Sequence, residues 1–167
     1  FGENLVFKDV SISLSNNRVV ALVGANGSGK STLLKIITGE IEPDEGYVEM
    51  SGSTKISYFP QEIPVSEQDQ TGKEYLLKKT NNPSGRQIFS LASIMDKLGF
   101  PQEKLEIKIN KMSGGERGKL TILSVISSNA DFFLLDEPTN NLDFVGLILS
   151  EKFIRSSSAG FLIVSHD

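Results

Sequence analysis

Apolar residues along this chain form short continuous runs separated by amphipathic stretches. The runs Val19–Val23, Phe132–Leu135 and Phe161–Val164 predict strands of a parallel sheet, the first two of them buried. Apolar residues recur at helical spacing beyond Lys30, and a longer amphipathic stretch at Ser84–Leu98 predicts a further helix. This alternation of strands and helices predicts an α/β fold.

Two other segments carry the signals of antiparallel strands. Val6–Leu14 alternates apolar and polar residues, and the tight-turn dipeptide Asn16-Asn17 follows it. Tyr47–Met50 and Lys55–Phe59 flank a Ser-Gly-Ser turn in the same manner. We therefore expect two hairpins, and with them an antiparallel β subdomain beside the parallel sheet.

The polar segment Glu62–Lys111 predicts a small helical subdomain inserted into the core, with a short helix at Thr71–Lys79. Ser113 and Glu116 then have the spacing of a capping box at the start of another helix. The two glycines between them leave room for an anion at the positive end of that helix. Asp143 can cap one more helix.

Composition limits the classes of function. Hydrophobic residues make up 38% and charged residues 23% of 167 residues, as in ordinary soluble domains, and no apolar run approaches the ~20 residues of a membrane span. Cysteine is absent, which excludes disulfides and thiolate metal sites and permits a cytosolic location. The net charge of -4 argues against strong nucleic-acid binding by this segment alone. Because the chain begins at Phe1 and stops just after an apolar run, we expect a piece of a longer polypeptide.

The most specific chemical signal is a glycine-rich loop between the first strand and the first helix. Its glycines allow positive φ and close backbone approach to an anion, so that N–H groups converge on phosphate oxygens. Lys30 can neutralise β- and γ-phosphates, and the Ser31 hydroxyl can bind Mg²⁺. An ordinary glycine turn is the less favoured interpretation, and the spacing does not fit a dinucleotide-binding loop. The loop comprises Gly24, Ala25, Asn26, Gly27, Ser28, Gly29, Lys30, Ser31 and Thr32.

Polar residues follow two of the predicted core strands. Asp136 and Glu137 come directly after a buried run, at the edge where open α/β sheets bind ligands. Asp136 can hold Mg²⁺ through water, and Glu137 can polarise a water molecule aimed at a γ-phosphate. His166, the single histidine, follows the last strand and points to the same edge. The alternatives are an acidic turn before a proline and a structural histidine.

Together these pieces resemble the nucleotide-binding domain of the ATP-binding cassette (ABC) superfamily, with six motifs in the family's order. GANGSGKS resembles the phosphate-binding loop, Gln61 in YFPQE the Q-loop, MSGGE the signature motif, FFLLDE the magnesium and base strand, NNLD the D-loop, and His166 the switch histidine. Phe1 stands where the family has an adenine-stacking aromatic residue. Two departures are mild: Met112 replaces the usual leucine, and Lys119 stands where arginine is common.

The resemblance implies a P-loop NTPase with a mostly parallel core sheet, an antiparallel β subdomain and a small inserted helical subdomain. It implies that residues 1–61 hold the β subdomain and the phosphate-loop half of the core, 62–111 the helical subdomain, and 112–167 the remaining half. The expected activity is Mg²⁺-dependent ATP hydrolysis in a head-to-tail pair of cassettes, in one chain or as a dimer. The implied catalytic residues are Glu137, His166 and Gln61; the metal site would use Ser31, Gln61 and Asp136; ATP would also meet Ser113, Gly114 and Gly115 of the second cassette.

Within the superfamily, DEPTNNLD resembles the ABC-F branch, whose members act on the ribosome in translation or antibiotic resistance. The resemblance then implies the ribosome as partner and a cytoplasmic location, with no insertion of this chain into a membrane. The alternative is the ATPase domain of a membrane transporter, paired with a transmembrane subunit. A third hypothesis is an interaction module that has lost hydrolysis. The short segment between Gln61 and Ser113 argues against DNA-repair members, which carry a long coiled coil there.

Overall fold

The computed structural model describes residues 5–80 and 85–166, without the side chains of 85–90. The chain forms two compact units, each assembled from separate stretches of sequence. Unit 1 contains the described parts of Phe1–Pro60, Ala130–Pro138 and Ser158–Asp167, and unit 2 contains those of Gln61–Asn129 and Thr139–Ser157. Among the described residues, no helix combines the length and apolar character needed to cross a bilayer.

Unit 1 is built on a four-stranded sheet in the order β1-β4-β3-β2, in which every neighbouring pair is parallel. Helix α1 follows β1, and Gly39 lies just past its end at φ 77°, as predicted for a helix stop. The elements are β1 (Val19–Val23), α1 (Lys30–Ile37), β2 (Ile56–Phe59), β3 (Phe132–Asp136) and β4 (Gly160–Ser165). The mostly parallel α/β core predicted from the sequence is confirmed.

The core of unit 1 lies around the two central strands. The inner residues of β3 and β4 are buried because these strands have neighbours on both sides. The rings of Phe133 and Phe161 stack at 5.1 Å between centroids on one face. On the other face a fully buried cluster comprises Leu34 of α1, Leu134, Leu162 and Val164.

Two predictions about the strands were wrong. First, β1 is an edge strand rather than a buried one: Val19 is 53% and Val23 is 59% exposed, since β1 pairs only with β4. Secondly, neither hairpin forms. Val6–Leu14 and Tyr47–Met50 carry no strand, whereas β2 runs parallel to β3. The turn at residues 16–17 is present, but no antiparallel pair of strands occurs among the described residues.

Unit 2 is helical and includes two further helices beside those of residues 62–111. Its helices are α2 (Gly72–Thr80), α3 (Gly85–Lys97), α4 (Gly114–Ser127) and α5 (Phe144–Ser156), with 3-10 turns at Val65–Glu67, Gln102–Glu106 and Ile109–Lys111. Tyr75, Leu98, Ile109, Leu120 and Leu123 form the centre of its apolar core. Burial raises the pKa of Tyr75 to about 12, so its phenol is neutral across the physiological range.

Candidate functional site

The glycine-rich loop connects the end of β1 to the start of α1. Gly27 and Gly29 adopt φ of 79° and 91°, a region that residues with a Cβ rarely enter, and Gly29 is the N-cap of α1. Since glycine has no side chain to cap the helix, the first N–H groups of α1 receive no side-chain acceptor from the cap. This is the arrangement from which a helix start can bind an anion.

The side chain of Lys30, the cation predicted for the phosphate loop, folds back onto the backbone of that loop. Nζ of Lys30 donates to the carbonyl oxygen of Gly24 at 2.6 Å and to that of Ala25 at 3.0 Å. The loop is closed further by the N–H of Ser28, which donates to the same Ala25 oxygen at 3.2 Å. The positive charge is therefore held among the backbone groups on which phosphates are expected to bind.

The two carboxylates at the end of β3 occupy buried positions. Asp136 is only 5% and Glu137 only 7% exposed. The backbone of Glu137 has φ 50°, which is uncommon for a residue with a Cβ, and its N–H donates to the carbonyl oxygen of Val164 in β4 at 3.0 Å. Nearby on β2, burial and secondarily the charges of Asp136 and Glu40 raise the pKa of Tyr58 to about 12.

The structure brings the histidine and the second carboxylate together. Nδ1 of His166 lies 2.9 Å from Oε2 of Glu137. An ionised carboxylate can only accept, so Nδ1 is the donor in this hydrogen bond. Two residues far apart in the sequence therefore meet at the ends of the adjacent parallel strands β3 and β4.

Unit 2 contains the Ser-Gly-Gly turn, and its predicted capping box is confirmed. The N–H of Glu116 donates to the Ser113 hydroxyl at 3.3 Å, and the N–H of Ser113 donates to Oε2 of Glu116 at 2.8 Å. Among the residues that the structure describes, no atom outside the turn would lie within 4 Å of a Cβ added to Gly115. The start of α4 is thus ordered by local hydrogen bonds while its second glycine remains open to an approaching group.

The predicted D-loop packs against the same helix within unit 2. A Cβ on Gly118 would lie 2.7 Å from the carbonyl oxygen of Asn141, so the glycine permits this approach. Nζ of Lys119 lies 3.0 Å from Oδ2 of Asp143, while Oδ1 of Asp143 accepts from the N–H of Gly146 at 2.9 Å and caps α5. That backbone hydrogen bond and then Lys119 hold the pKa of Asp143 below its ordinary value.

The roles of two further predicted site residues, Gln61 and Phe1, stay predictions. Gln61 is the first residue of unit 2 and is exposed, and its role beside the metal stays a prediction. Phe1 lies outside the described residues.

The candidate metal ligands in unit 1 have suitable chemistry. Ser31 and Asp136 offer the oxygen donors that Mg²⁺ prefers, and this ion commonly keeps several waters and binds substrate phosphates. Within the described parts of the chain, no cluster of three or more His, Cys, Asp or Glu side chains forms a metal site. A magnesium ion at Ser31 and Asp136 would therefore depend on water and nucleotide oxygens for its remaining ligands.

Comparison with known proteins identifies the family. The family model described as "ABC transporter" matches residues 7–140, more than half of the chain. This chain is an ATP-binding domain of the ABC transporter family.

The relatives of this cassette include proteins with different roles. It is 37% identical over its whole length to the ribosome protection protein VmlR of Bacillus subtilis, of which it covers 30%. It is 33% identical to the zinc import ATP-binding protein ZnuC of Buchnera aphidicola, with 97% of this chain and 68% of that protein covered. The chain therefore spans less than a third of the length of VmlR and about two thirds of that of ZnuC.

Solved structures support the fold. One described as the ATP binding subunit of an ABC transporter superposes with a TM-score of 0.85 at 24% identity, covering 99% of this chain and 75% of that one. ABC ATP-binding domains are generally ATPases and act as dimers. The family assignment thus gives nucleotide binding, while the mixture of relatives leaves the specific role to be proposed.

The structure also reveals contacts that sequence reasoning missed. Lys104 pairs with Glu116 of the capping box, and Lys119 pairs with Asp143 of the D-loop. Lys119 is noticeable in the sequence only as a departure from arginine, and Lys104 carries no signal at all. Both lysines find their partners in a different secondary-structure element, which residue spacing does not encode.

Proposed function

We propose that this cassette hydrolyses ATP with Mg²⁺, using the phosphate loop, Asp136, Glu137 and His166 at one edge of the unit 1 sheet. The observation that carries the proposal is the parallel arrangement of β1, β4 and β3. Because parallel strands end at the same edge, the loop after β1, the carboxylates after β3 and the histidine after β4 share that edge. Ligands of open α/β sheets bind there.

Each residue has a role that fits its surroundings. Lys30 and the N–H groups at the start of α1 bind the β- and γ-phosphates. Ser31 and Asp136 hold Mg²⁺, which supplies neutralisation of phosphate charge when bound. Glu137 orients the attacking water and accepts its proton, since a carboxylate is a suitable general base. His166 is hydrogen-bonded to Glu137 and orients this carboxylate toward the attacking water.

The site is completed by a second cassette. Ser113, Gly114 and Gly115 present the N-terminus of α4, whose backbone donors would stabilise charge on the γ-phosphate bound by a partner. The openness around Gly115 and the fact that ABC domains act as dimers support this head-to-tail pairing. By resemblance to the family, we assign Gln61 to the metal site and Phe1 to stacking on the adenine.

A substitution at the helix start tests the pairing. Ser113→Arg places a bulky cation at the interface, so it should block hydrolysis by the full-length protein. Binding of ATP by the cassette that carries the change should be nearly intact, because its own phosphate loop belongs to unit 1. Calorimetry beside a turnover assay measures both quantities. Equal loss of ATP binding would contradict the pairing.

For the cellular role, we propose an ABC-F-type factor that acts on the ribosome from the cytoplasm. The NNLD motif and the similarity to a protein named for ribosome protection favour this role. The second candidate is the ATPase domain of a transporter with a transmembrane subunit, which the similarity to a zinc import ATP-binding protein favours.

Trapping the ATP-bound state distinguishes the two roles. In the full-length protein, Glu137→Gln should retain ATP and hold two cassettes together. An ABC-F factor in that state should sediment with ribosomes in the presence of ATP, whereas a transporter component should sediment with membranes. The matched control is Lys30→Ala, which should bind neither nucleotide nor ribosome. Trapping of ATP without ribosome association would overturn the ABC-F proposal.

A further inference from the structure

Glu116 uses its two carboxylate oxygens on two different partners. Oε2 accepts the backbone N–H of Ser113 and closes the capping box of α4. Oε1 lies 2.7 Å from Nζ of Lys104. The ion pair with Lys104 and then the hydrogen bond from Ser113 hold the pKa of Glu116 below its ordinary value. Each oxygen of the carboxylate that orders the Ser-Gly-Gly turn therefore has a contact of its own, one with a backbone N–H and one with an ammonium group.

Lys104 extends from a fixed piece of backbone. Its N–H donates to the carbonyl oxygen of Pro101 at 3.0 Å within a 3-10 turn. The adjacent Leu105 packs against the apolar core of unit 2, and the carbonyl oxygen of Ile107 accepts from the N–H of Gly72 at 3.1 Å. The start of the lysine side chain is thus anchored, which lowers the entropy lost when its ammonium pairs.

The pair is also more shielded than a second one, which joins Glu106 of the same 3-10 turn to Lys73 of α2. The side chains of Lys104 and Glu116 are 36% and 26% exposed, against 58% and 66% for Lys73 and Glu106. Exposed ion pairs contribute little because water screens them, and partly shielded ones contribute more. We therefore expect the ion pair of Lys104 with Glu116 to be stronger than that of Lys73 with Glu106.

We propose that Lys104 is a positioning residue of the composite ATP site. By fixing Oε1 of Glu116, it keeps Oε2 on the N–H of Ser113 and so holds the first turn of α4 in the conformation offered to the partner's nucleotide. The inference rests on the proposed function, because it assigns that turn to the second half of the site. Lys104 acts through Glu116 and touches no reacting atom.

Turnover kinetics of the full-length protein test the role. Lys104→Met should lower kcat for ATP hydrolysis roughly threefold to tenfold, the range expected for a partly shielded charged contact, with KM changed less than twofold. Lys104→Arg, which can still pair with Glu116, should restore kcat. Lys73→Met removes the exposed pair on the same 3-10 turn and should leave kcat unaltered. A loss of kcat that arginine does not rescue would contradict the proposal.

A double-mutant cycle tests whether Lys104 works through Glu116. Glu116→Gln retains a side chain able to complete a capping box but loses the ion pair. In that background Lys104→Met should have no further effect on kcat, since their shared contact is already gone. An equal fall in kcat in both backgrounds would overturn the inference.

Amide hydrogen exchange separates this inference from the proposed function. Lys104→Met should accelerate exchange of the Ser113 amide, which donates to Glu116, even if the wild-type protein showed no turnover. Absence of wild-type turnover would contradict the proposed ATPase activity alone. Unchanged exchange at Ser113 would contradict the role of Lys104 alone.

Discussion

In unit 1 the candidate catalytic groups lie at the ends of buried strands, whereas in unit 2 the Ser-Gly-Gly turn begins a helix whose cap is held by side chains. Glu137 is fixed by burial, by a backbone hydrogen bond to β4 and by His166. Ser113 is fixed by a capping box and, through Glu116, by Lys104. The first arrangement depends on the sheet, and the second depends on a few polar side chains near water.

This difference predicts different responses to substitution. A change at a strand end in unit 1 should alter chemistry while the sheet preserves the fold. A change around the α4 turn in unit 2 should alter local order first and hydrolysis as a consequence. Four experiments test this difference between the two units.

The largest effect is expected for Glu137→Gln in unit 1. Loss of the general base should lower the rate of ATP hydrolysis by about 10²–10⁴, because the amide cannot accept the proton of water. ATP affinity and thermal stability should change little, since glutamine preserves shape and still bonds to His166. A turnover assay measures the rate of ATP hydrolysis, and calorimetry measures the affinity for ATP. The matched control is Glu151→Gln at an exposed position of α5, which should leave turnover unchanged. Near-normal turnover in Glu137→Gln would contradict the role of Glu137 as the general base.

Gly118→Ala should most disturb unit 2. The new Cβ would meet the Asn141 carbonyl at 2.7 Å, and backbone cannot move aside as easily as a side chain. Overpacking of this kind costs roughly 1–3 kcal/mol. Gly115→Ala in the same helix has free space and should instead be neutral or stabilising by up to about 1 kcal/mol. Urea unfolding measures both, and equal stabilities of the two variants would contradict the close packing of the D-loop.

Ser113→Ala should have a smaller effect on the same unit. It removes the hydroxyl that accepts the Glu116 N–H, and loss of an N-cap costs typically about 1 kcal/mol. Exchange of the first-turn amides of α4 should accelerate, while amides of β3 and β4 should keep their protection. Ser113→Asp, another good cap, is the matched variant and should preserve that protection. Uniform loss across both units would show that they do not respond separately.

The smallest of the four effects is expected from acid, which should loosen the starts of helices α4 and α5 in unit 2. Asp143 and Glu116 have pKa values below their ordinary ones, so their contribution is present above about pH 4 and is lost as the pH falls through the lowered values. Amide protection factors at α4 and α5 should therefore decline as the pH falls below about 4. Asp143→Asn, which still caps but does not titrate, should flatten this decline at α5. An unchanged decline would contradict the role of Asp143.

Features whose partners lie within a few residues could be predicted from the sequence. The phosphate loop is readable because its glycines and Lys30 are adjacent, and the capping box because Ser113 and Glu116 share one helical turn. Caps and helix stops were predicted correctly for the same reason, whereas the burial predicted for Val19–Val23 was wrong. The division at 62 and 112 into functional segments stays a prediction.

Pairings between distant segments could not be predicted in this way and are known from the tertiary structure. Alternation in Val6–Leu14 and the turn before Lys55 suggested hairpins, yet β2 pairs with β3, because a strand's pattern describes its faces and not its neighbour. The hydrogen bond between His166 and Glu137 exists because β3 and β4 lie side by side and end together. Lys104 reaches Glu116 because its 3-10 turn packs near α4, and no local signal could specify that contact.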